Sequence, residues 1–168
     1  MMSGANIESD NSSGRAVEAA TCELIYRVVA FFLAGQRYAL PIGRVCEIQQ
    51  IVALSEVPSG QRGVVGMVNL RGDVVPAVDM RRLIGLEPRD YELDTPMIIS
   101  EVAGGRAALI VDEVQDVFEL PPDCLQNAPA LHHLASEMIG VAGLPDGVVY
   151  VLDLDRLLDS AVLASDAA

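Results

Sequence analysis

The feature that most constrains the fold is an internal repeat. Residues 65–84 align without a gap to residues 139–158, at an offset of 74 positions, and Asp79 falls on Asp153. The segment that precedes this unit repeats at an offset of 69. Each copy has roughly 55–60 residues, a size at which an isolated core is marginal, so the two copies are expected to share an interface.

Short apolar runs rich in valine, separated by glycine turns, predict strands in both copies. The predicted strands are 26–33, 37–42, 64–68, 74–78, 97–102, 107–111, 117–120, 138–141 and 148–152. Residues 45–52 are ambiguous, because their apolar positions fit both helical spacing and a bent strand. Residues 121–136 predict a loop or short helix, and Asp153–Ala164 predicts a terminal helix.

One turn distinguishes the first copy from the second. Residues 69–73, Asn-Leu-Arg-Gly-Asp, predict a tight turn in which Gly72 takes a positive φ. Arg71 aligns with Pro145 across the repeat, so this turn chemistry belongs to the first copy alone. Pro76 lacks a backbone donor, and its strand is therefore expected at a sheet edge or a bulge.

The repeat predicts one folded domain built from two sub-barrels. The predicted division is a flexible N-terminal tail at 1–25, a single domain at 26–160 and a C-terminal tail at 161–168. The sub-barrels are expected from repeats at about 31–84 and 97–158, and the sequence leaves open whether the copies exchange their terminal segments. The two offsets differ by five residues, which predicts an insertion in the second copy around Leu131–Ala135.

Charge and composition exclude several classes of partner. All 11 basic residues are arginine and the net charge is −13, whereas nucleic-acid binding needs clustered basic residues. Residues 85–168 hold 3 arginines against 16 acids, so the acidity is concentrated in the second half. The longest apolar run, residues 24–34, is far shorter than the ~20 residues that span a bilayer. No signal peptide is recognised, and we expect a cytoplasmic protein with no membrane insertion.

The residues that could carry catalysis or bind a metal have simpler interpretations. His132 and His133 are the only histidines, and adjacent side chains do not face one site, so they are interpreted as solvated loop residues. Asp112-Glu113 and Asp153-Leu154-Asp155 lack the glycine-punctuated loop of a calcium site. The three cysteines are odd in number and widely spaced, which predicts neither a disulfide framework nor a zinc site. We therefore expect no enzyme activity, cofactor or metal.

Two stretches of the first copy carry a resemblance to a known family. Val64–Gly72 (VVGMVNLRG) followed by Val75–Met80 (VPAVDM) resembles the signature of the CheW chemotaxis coupling proteins. Tyr38–Ile42 followed by Val45–Ile48 is similar to the opening segment of that family, and Leu109–Val117 and Gly140–Leu158 resemble its second half. The resemblance covers about residues 26–160 in order and at the right spacings.

The resemblance implies a mainly all-β fold, with two SH3-like five-stranded barrels, short helices, a C-terminal helix and a hydrophobic groove between the barrels. It also implies a non-catalytic adaptor that couples chemoreceptor cytoplasmic tips to the regulatory domain of the CheA histidine kinase, in arrays with other coupling proteins. Two alternatives stay open. One is a coupler in a non-flagellar pathway that controls pili or gliding, and the other is a scaffold that binds only its own copies.

The resemblance further implies which residues face the receptor. The implied receptor-facing positions are Ile42, Val45, Glu47, Ile48, Asn69, Arg71, Val74, Thr95 and Met97. Glu47 and Arg71 are hypothesised to form a surface ion pair that shapes the turn, and the alternative is two independent solvated charges.

Overall fold

The structure is a computed structural model that describes residues 27–56, 62–121 and 123–159. The tails predicted at 1–25 and 161–168 lie outside the described residues. The described strands are β1 (Arg27–Leu33), β2 (Gln36–Pro41), β3 (Val45–Gln50), β4 (Val64–Leu70), β5 (Asp73–Asp79), β6 (Pro96–Val102), β7 (Gly105–Ile110), β8 (Glu113–Glu119), β9 (Leu125–Gln126), β10 (Met138–Leu144) and β11 (Gly147–Leu152). The prediction of a mainly β protein is confirmed.

Helical structure in the described residues is short. Single 3-10 turns occupy Ile42–Arg44 and Ala135–Glu137, and a one-turn α-helix occupies Met80–Leu83. Residues 154–159 are helical, which agrees with the predicted terminal helix as far as the described residues extend.

The strands form two barrel-like sheets. Barrel one has the strand order β3-β6-β7-β5-β4, and barrel two has the order β8-β1-β2-β11-β10-β9. In barrel one the chain that follows β3 reaches the far edge, where Ser55 forms a bridge with Met67 of β4. In barrel two the chain that follows β8 likewise reaches the far edge, where β9 pairs with β10. These contacts close each sheet on itself, because they join its two edges.

Each barrel contains strands from both repeats. The β1–β2 hairpin pairs with β8 and β11 of the second repeat, and the β6–β7 hairpin pairs with β3 and β5 of the first. The joining pairs β2–β11 and β5–β7 are both parallel, whereas the hairpins are antiparallel. The repeats therefore exchange their first hairpins.

Two strand assignments differ from the sequence prediction. The ambiguous segment at 45–52 begins as strand β3, whose alternating half-buried and exposed side chains follow the period of a strand. Strand β8 begins at Glu113, four residues before the predicted start, because its polar residues lie on an exposed face beside β1.

Of the two positions expected for the strand that contains Pro76, an edge or a bulge, the edge is wrong, but a bulge lies close by, where the β4–β5 register shifts between Val64 and Gly66. β5 lies between β4 and β7, but its parallel pairing with β7 begins only at Ala77. Pro76 pairs with Met67 of β4 and has no partner on its other side. The missing N–H is tolerated because no strand pairs with it there.

The predicted insertion is divided in the structure. Gln126 pairs with Val141, the repeat equivalent of Met67, so Gln126 corresponds to Ser55 at an offset of 71. The extra residues of the second copy therefore lie partly before and partly after Gln126, whereas we expected all of them at 131–135.

A single large hydrophobic cluster joins the two barrels. It combines side chains of barrel two, such as Phe31 and Leu152, with side chains of barrel one, such as Ile98 and Leu109. Smaller clusters fill each barrel separately. The shared cluster supplies the interface that two marginal units need.

Candidate functional site

The turn between β4 and β5 holds an arginine in a backbone conformation that arginine rarely adopts. Arg71 has φ 54° and Gly72 has φ 91°, so both central residues of this two-residue turn are left-handed. The Asn69 side-chain Oδ1 accepts a hydrogen bond from the Gly72 N–H at 2.9 Å. The predicted positive φ of Gly72 is confirmed, and the left-handed Arg71 is an added strain of the kind often found at functional sites.

Arg71 contacts Glu47 across the sheet. The Arg71 Nη2 donates to Oε1 and Oε2 of Glu47 at 2.8 and 3.0 Å. Glu47 lies on β3 and Arg71 follows β4, and these strands are the two edges of barrel one. The ion pair therefore spans the closure of the barrel, although 81% of the Arg71 side chain is exposed.

Two exposed apolar side chains lie on the strands that carry this ion pair. Ile48 on β3 is 42% exposed and Val74 on β5 is 63% exposed. Ile42 and Val45 are only half-buried, and Val45 also packs against the shared core. We call Ile48, Val74 and the Glu47–Arg71 pair the turn face.

Thr95 and Met97 lie apart from the turn face. The Thr95 carbonyl accepts from the Ile51 N–H at 2.7 Å, and its Oγ1 accepts from the Glu92 N–H at 2.7 Å. Met97 is fully buried among Val75 and other residues of barrel one. Met97 therefore offers no surface to a partner, because this strand turns the side chain into the core.

Barrel two has exposed apolar side chains at the equivalent positions. Val117 and Val148 are the repeat equivalents of Ile48 and Val74, and they are 47% and 45% exposed. Pro145 stands in place of Arg71, so the ion pair has no counterpart there. The apolar positions are thus duplicated, but the charges differ: the Glu47–Arg71 pair belongs to barrel one, whereas the equivalent turn of barrel two carries Asp146, which pairs with Arg37.

The cleft between the barrels is charged and not apolar as expected. It has a volume of about 730 Å³ and is lined by residues of both barrels, Phe32 and Ile110 among them, together with the Asp112 and Arg81 side chains. Of the nine implied receptor-facing residues, Thr95 alone lines this cleft.

A half-buried ion pair crosses the cleft. Arg81 Nε and Nη2 donate to the two carboxylate oxygens of Asp112 at 2.7 and 2.5 Å, and the Ala34 N–H donates to the same carboxylate at 2.9 Å. Burial alone would raise the pKa of the Asp112 carboxyl, but the hydrogen bonds from Arg81 and Ala34 hold the pKa below its usual value. The pair joins the helix of barrel one to the β1–β2 turn of barrel two.

A second ion pair occupies the equivalent place with its charges reversed. Asp155, the repeat equivalent of Arg81, pairs with Arg44, and its Oδ1 accepts from the Ala103 N–H at 3.3 Å. Both side chains of this pair are 35% exposed, whereas Arg81 and Asp112 are each 15% exposed. Sequence reasoning missed both bridges. The opposite charges of the aligned Arg81 and Asp155 are a signal for one end of each bridge, whereas the other ends are not aligned, since Asp112 falls on Gly43.

The carboxylate of Asp79 organises the end of β5. Its Oδ1 accepts from the Arg81 N–H at 2.9 Å and thereby caps helix Met80–Leu83. Its Oδ2 accepts from the Tyr91 hydroxyl at 2.6 Å. Burial and this hydrogen bond raise the pKa of Tyr91 well above its usual value. The contact attaches the connector between the repeats to barrel one.

The CheW-like domain family model matches residues 27–162. The chain belongs to the CheW family. It is therefore related to adaptors of chemotaxis signalling, a family of non-catalytic scaffolds. The match includes every strand described above.

Named relatives and a solved structure agree with this membership. The chain is 27% identical over 136 residues to the chemotaxis protein CheW of Klebsiella aerogenes, which covers 80% of this chain and 82% of that protein. It is 23% identical over 137 residues to CheW of Helicobacter pylori, which covers 81% and 83% of the two chains. The crystal structure of the scaffolding protein TtCheW from Thermoanaerobacter tengcongensis superimposes with a TM-score of 0.72 and 28% identity, over 79% of this chain and 91% of that chain.

Two further properties bear on the function of this CheW-family chain. Within residues 27–56, 62–121 and 123–159, no helix combines the length and apolarity that a bilayer-spanning helix needs. The same residues contain no group of three or more His, Cys, Asp or Glu side chains that could hold a metal ion.

Proposed function

We propose that this chain is a non-catalytic coupling adaptor that binds a chemoreceptor cytoplasmic tip through the turn face and binds the regulatory domain of a CheA-type kinase elsewhere. It works in the cytoplasm, at receptor arrays. The observation that carries the proposal is the Glu47–Arg71 pair, which holds an exposed arginine in a strained turn of barrel one, the barrel whose strands β3 and β5 also carry exposed Ile48 and Val74.

The chemistry of the turn face suits a helical partner. Exposed Ile and Val side chains can pack against the apolar face of a helix, and flanking charges fix its register. Asn69 supports this surface by holding the turn. Ile42 and Val45 are half-buried and offer only secondary contacts, and Thr95 lines the cleft instead. Buried Met97 has no part in the proposal.

The decisive experiment measures binding of the purified chain to a receptor cytoplasmic fragment and to the kinase regulatory domain from the same organism, each alone and together. Wild type is expected to bind both. Arg71→Ala and Val74→Asp are expected to weaken receptor binding while circular dichroism stays native. Failure of the wild type to bind either protein would contradict the proposal and favour a scaffold that binds only its own copies.

Barrel two offers a matched control for the turn face. Val148→Asp places the same charge at the repeat equivalent of Val74, which is also exposed, at 45% against 63%. It is expected to leave receptor binding unchanged. Equal loss from Val74→Asp and Val148→Asp would mean that the receptor does not distinguish the barrels, and the assignment to the turn face would fail.

A double-mutant cycle tests whether Glu47 and Arg71 act together. Glu47→Ala, Arg71→Ala and the double variant are compared in receptor affinity. We expect a coupling energy of about 0.5–1 kcal/mol, the upper range for an exposed pair. Full additivity would show that the two charges contribute independently.

An alternative function is a coupler in a non-flagellar chemosensory pathway. The chain is 27% identical over 95 residues to Protein PilI of Pseudomonas aeruginosa, covering 56% of this chain and 53% of that protein. This support is weaker than the CheW matches because it covers less of both chains. Deletion of the gene with assays of swimming and of surface motility distinguishes the two outputs.

A further inference from the structure

A continuous stack of rings connects the two histidines to the core of barrel two. The ring centroids of His133 and His132 lie 4.9 Å apart, and those of His132 and Tyr150 lie 4.8 Å apart. Tyr150 contacts Tyr38 at 5.6 Å, and Tyr38 contacts Phe31 at 6.1 Å. His132 is therefore not the solvated loop residue that we expected, because it is half-buried against Tyr150 of β11, whereas His133 is exposed.

A hydrogen bond fixes the protonation state of His132. The Leu134 N–H donates to Nδ1 of His132 at 3.1 Å, so Nδ1 is an unprotonated acceptor and the proton of the neutral ring lies on Nε2. A proton added to Nδ1 would place an N–H against the Leu134 N–H. The hydrogen bond can exist only while His132 is neutral.

Leu134 connects this bond to the junction of the barrels. Its side chain is 6% exposed and belongs to the shared hydrophobic cluster. Leu134 also lines a cavity of about 130 Å³ together with Leu83 of barrel one and Leu157 of the terminal helix. Loss of the bond therefore loosens a side chain that packs against both barrels.

The charged and titratable surroundings of His132 oppose its protonation. Burial, and then repulsion from His133, lower the pKa of His132. The ring of Tyr150 contacts the same imidazole at a centroid distance of 4.8 Å. Arg62 and Glu137 line the small cavity beside His133.

We propose that residues 127–137 form an acid-released latch, in which protonation of His132 detaches Leu134 from the core that the two barrels share. Because the latched state holds a proton on His132 more weakly than the released state does, the latch is stable above the ordinary histidine pKa of about 6.5. It weakens as the pH falls below that value. Because opening takes up one proton, the equilibrium constant for opening rises by up to about tenfold for each unit by which the pH falls.

Hydrogen exchange on the full chain at pH 7.5 and 5.5, corrected for intrinsic exchange rates, tests the latch. Peptides within 127–137 are expected to lose protection several-fold at the lower pH, while peptides from β4 and β5 keep theirs. Unchanged protection of 127–137 between the two pH values would overturn the proposal.

Three variants isolate the imidazole. His132→Asn supplies a non-titrating acceptor and His132→Phe retains the ring without one, so both are expected to abolish the pH response. His133→Phe is the matched control, because it keeps His132 and removes only the neighbouring imidazole. The pH response should persist, with its midpoint at higher pH. A wild-type pH response in His132→Asn and His132→Phe would assign the effect to another group and refute the latch.

Discussion

At the scale of single residues, two glycines mark the places where the barrels close. A Cβ on Gly66 would lie 2.6 Å from the Ser55 carbonyl oxygen, and a Cβ on Gly140 would lie 2.6 Å from that of Gln126. Both neighbours are backbone atoms of the segment that closes the sheet. The repeat preserves glycine at these positions because any side chain would separate that segment from the barrel.

Substitution of Gly140 is predicted to destabilise the protein. Gly140→Ala forces the Gln126 carbonyl to move, and overpacking of this kind costs about 1–3 kcal/mol. Gly143→Ala on the same strand is the control, since a Cβ there meets no atom within 4 Å. Urea denaturation of both variants checks the prediction, which fails if they lose equal stability.

We predict that Arg71 lowers the stability of the fold but raises the affinity for the receptor. Arg71→Gly places glycine at φ 54°, where it is not strained, so we expect the free energy of unfolding to stay constant or rise. Receptor affinity should fall, because the cation is lost. A thermal melt alongside the binding assay checks both parts, and a large loss of stability would mean that the ion pair with Glu47 serves the fold.

Sequence reasoning predicted the turn at 69–73 well, because its glycine and asparagine act locally. It could not decide which side of a strand faces outward. Met97 and Ile48 are both apolar strand residues, yet one is fully buried and the other is 42% exposed. That difference depends on the neighbours across the sheet, which a single sequence does not reveal.

At the scale of elements, the two repeats cap their helices with unequal strength. Asp79 is buried and also accepts from the Tyr91 hydroxyl, whereas Asp153 is half-buried and caps through the Arg156 N–H at 3.2 Å. The connector that carries Tyr91 follows the first repeat alone.

Removal of the two caps is predicted to differ in effect. Asp79→Ala should lose about 1–2 kcal/mol for the cap and about 1–3 kcal/mol more for the unpartnered Tyr91 hydroxyl. Asp153→Ala should lose only about 1 kcal/mol. Chemical denaturation checks the order, and similar losses would show that the Tyr91 contact adds nothing.

The strands themselves were largely predictable from the repeat. β1 and β6 share the offset of 69, and β4 and β10 share the offset of 74. Short or polar strands were missed, because the two residues of β9 are too few for a pattern and the start of β8 is charged. The exchange of hairpins was undecided, since β1–β2 and β6–β7 resemble each other and either repeat could accept either hairpin.

At the scale of the whole molecule, the Arg81–Asp112 pair makes the junction of the barrels sensitive to acid. The folded pKa of Asp112 is lowered, so its stabilising effect is present above the unfolded value of about 3.9 and is lost as the pH falls through the folded value. Asp112→Asn is predicted to reduce stability at neutral pH and to flatten the decline towards pH 2.5. Urea midpoints across this range check it against Asp116→Asn, an exposed control, and parallel curves for wild type and Asp112→Asn would contradict it.

The exchange of hairpins also dictates an order of assembly during synthesis. Barrel one has all its strands once Ile110 has left the ribosome, but the β1–β2 hairpin, made earlier, must wait for β11 before Tyr38 can pair with Tyr150. Until then the hairpin carries two apolar faces and an open edge, the features that invite aggregation of a nascent chain. The first segment of the domain to be translated thus completes its pairing only when nearly the whole domain has been made.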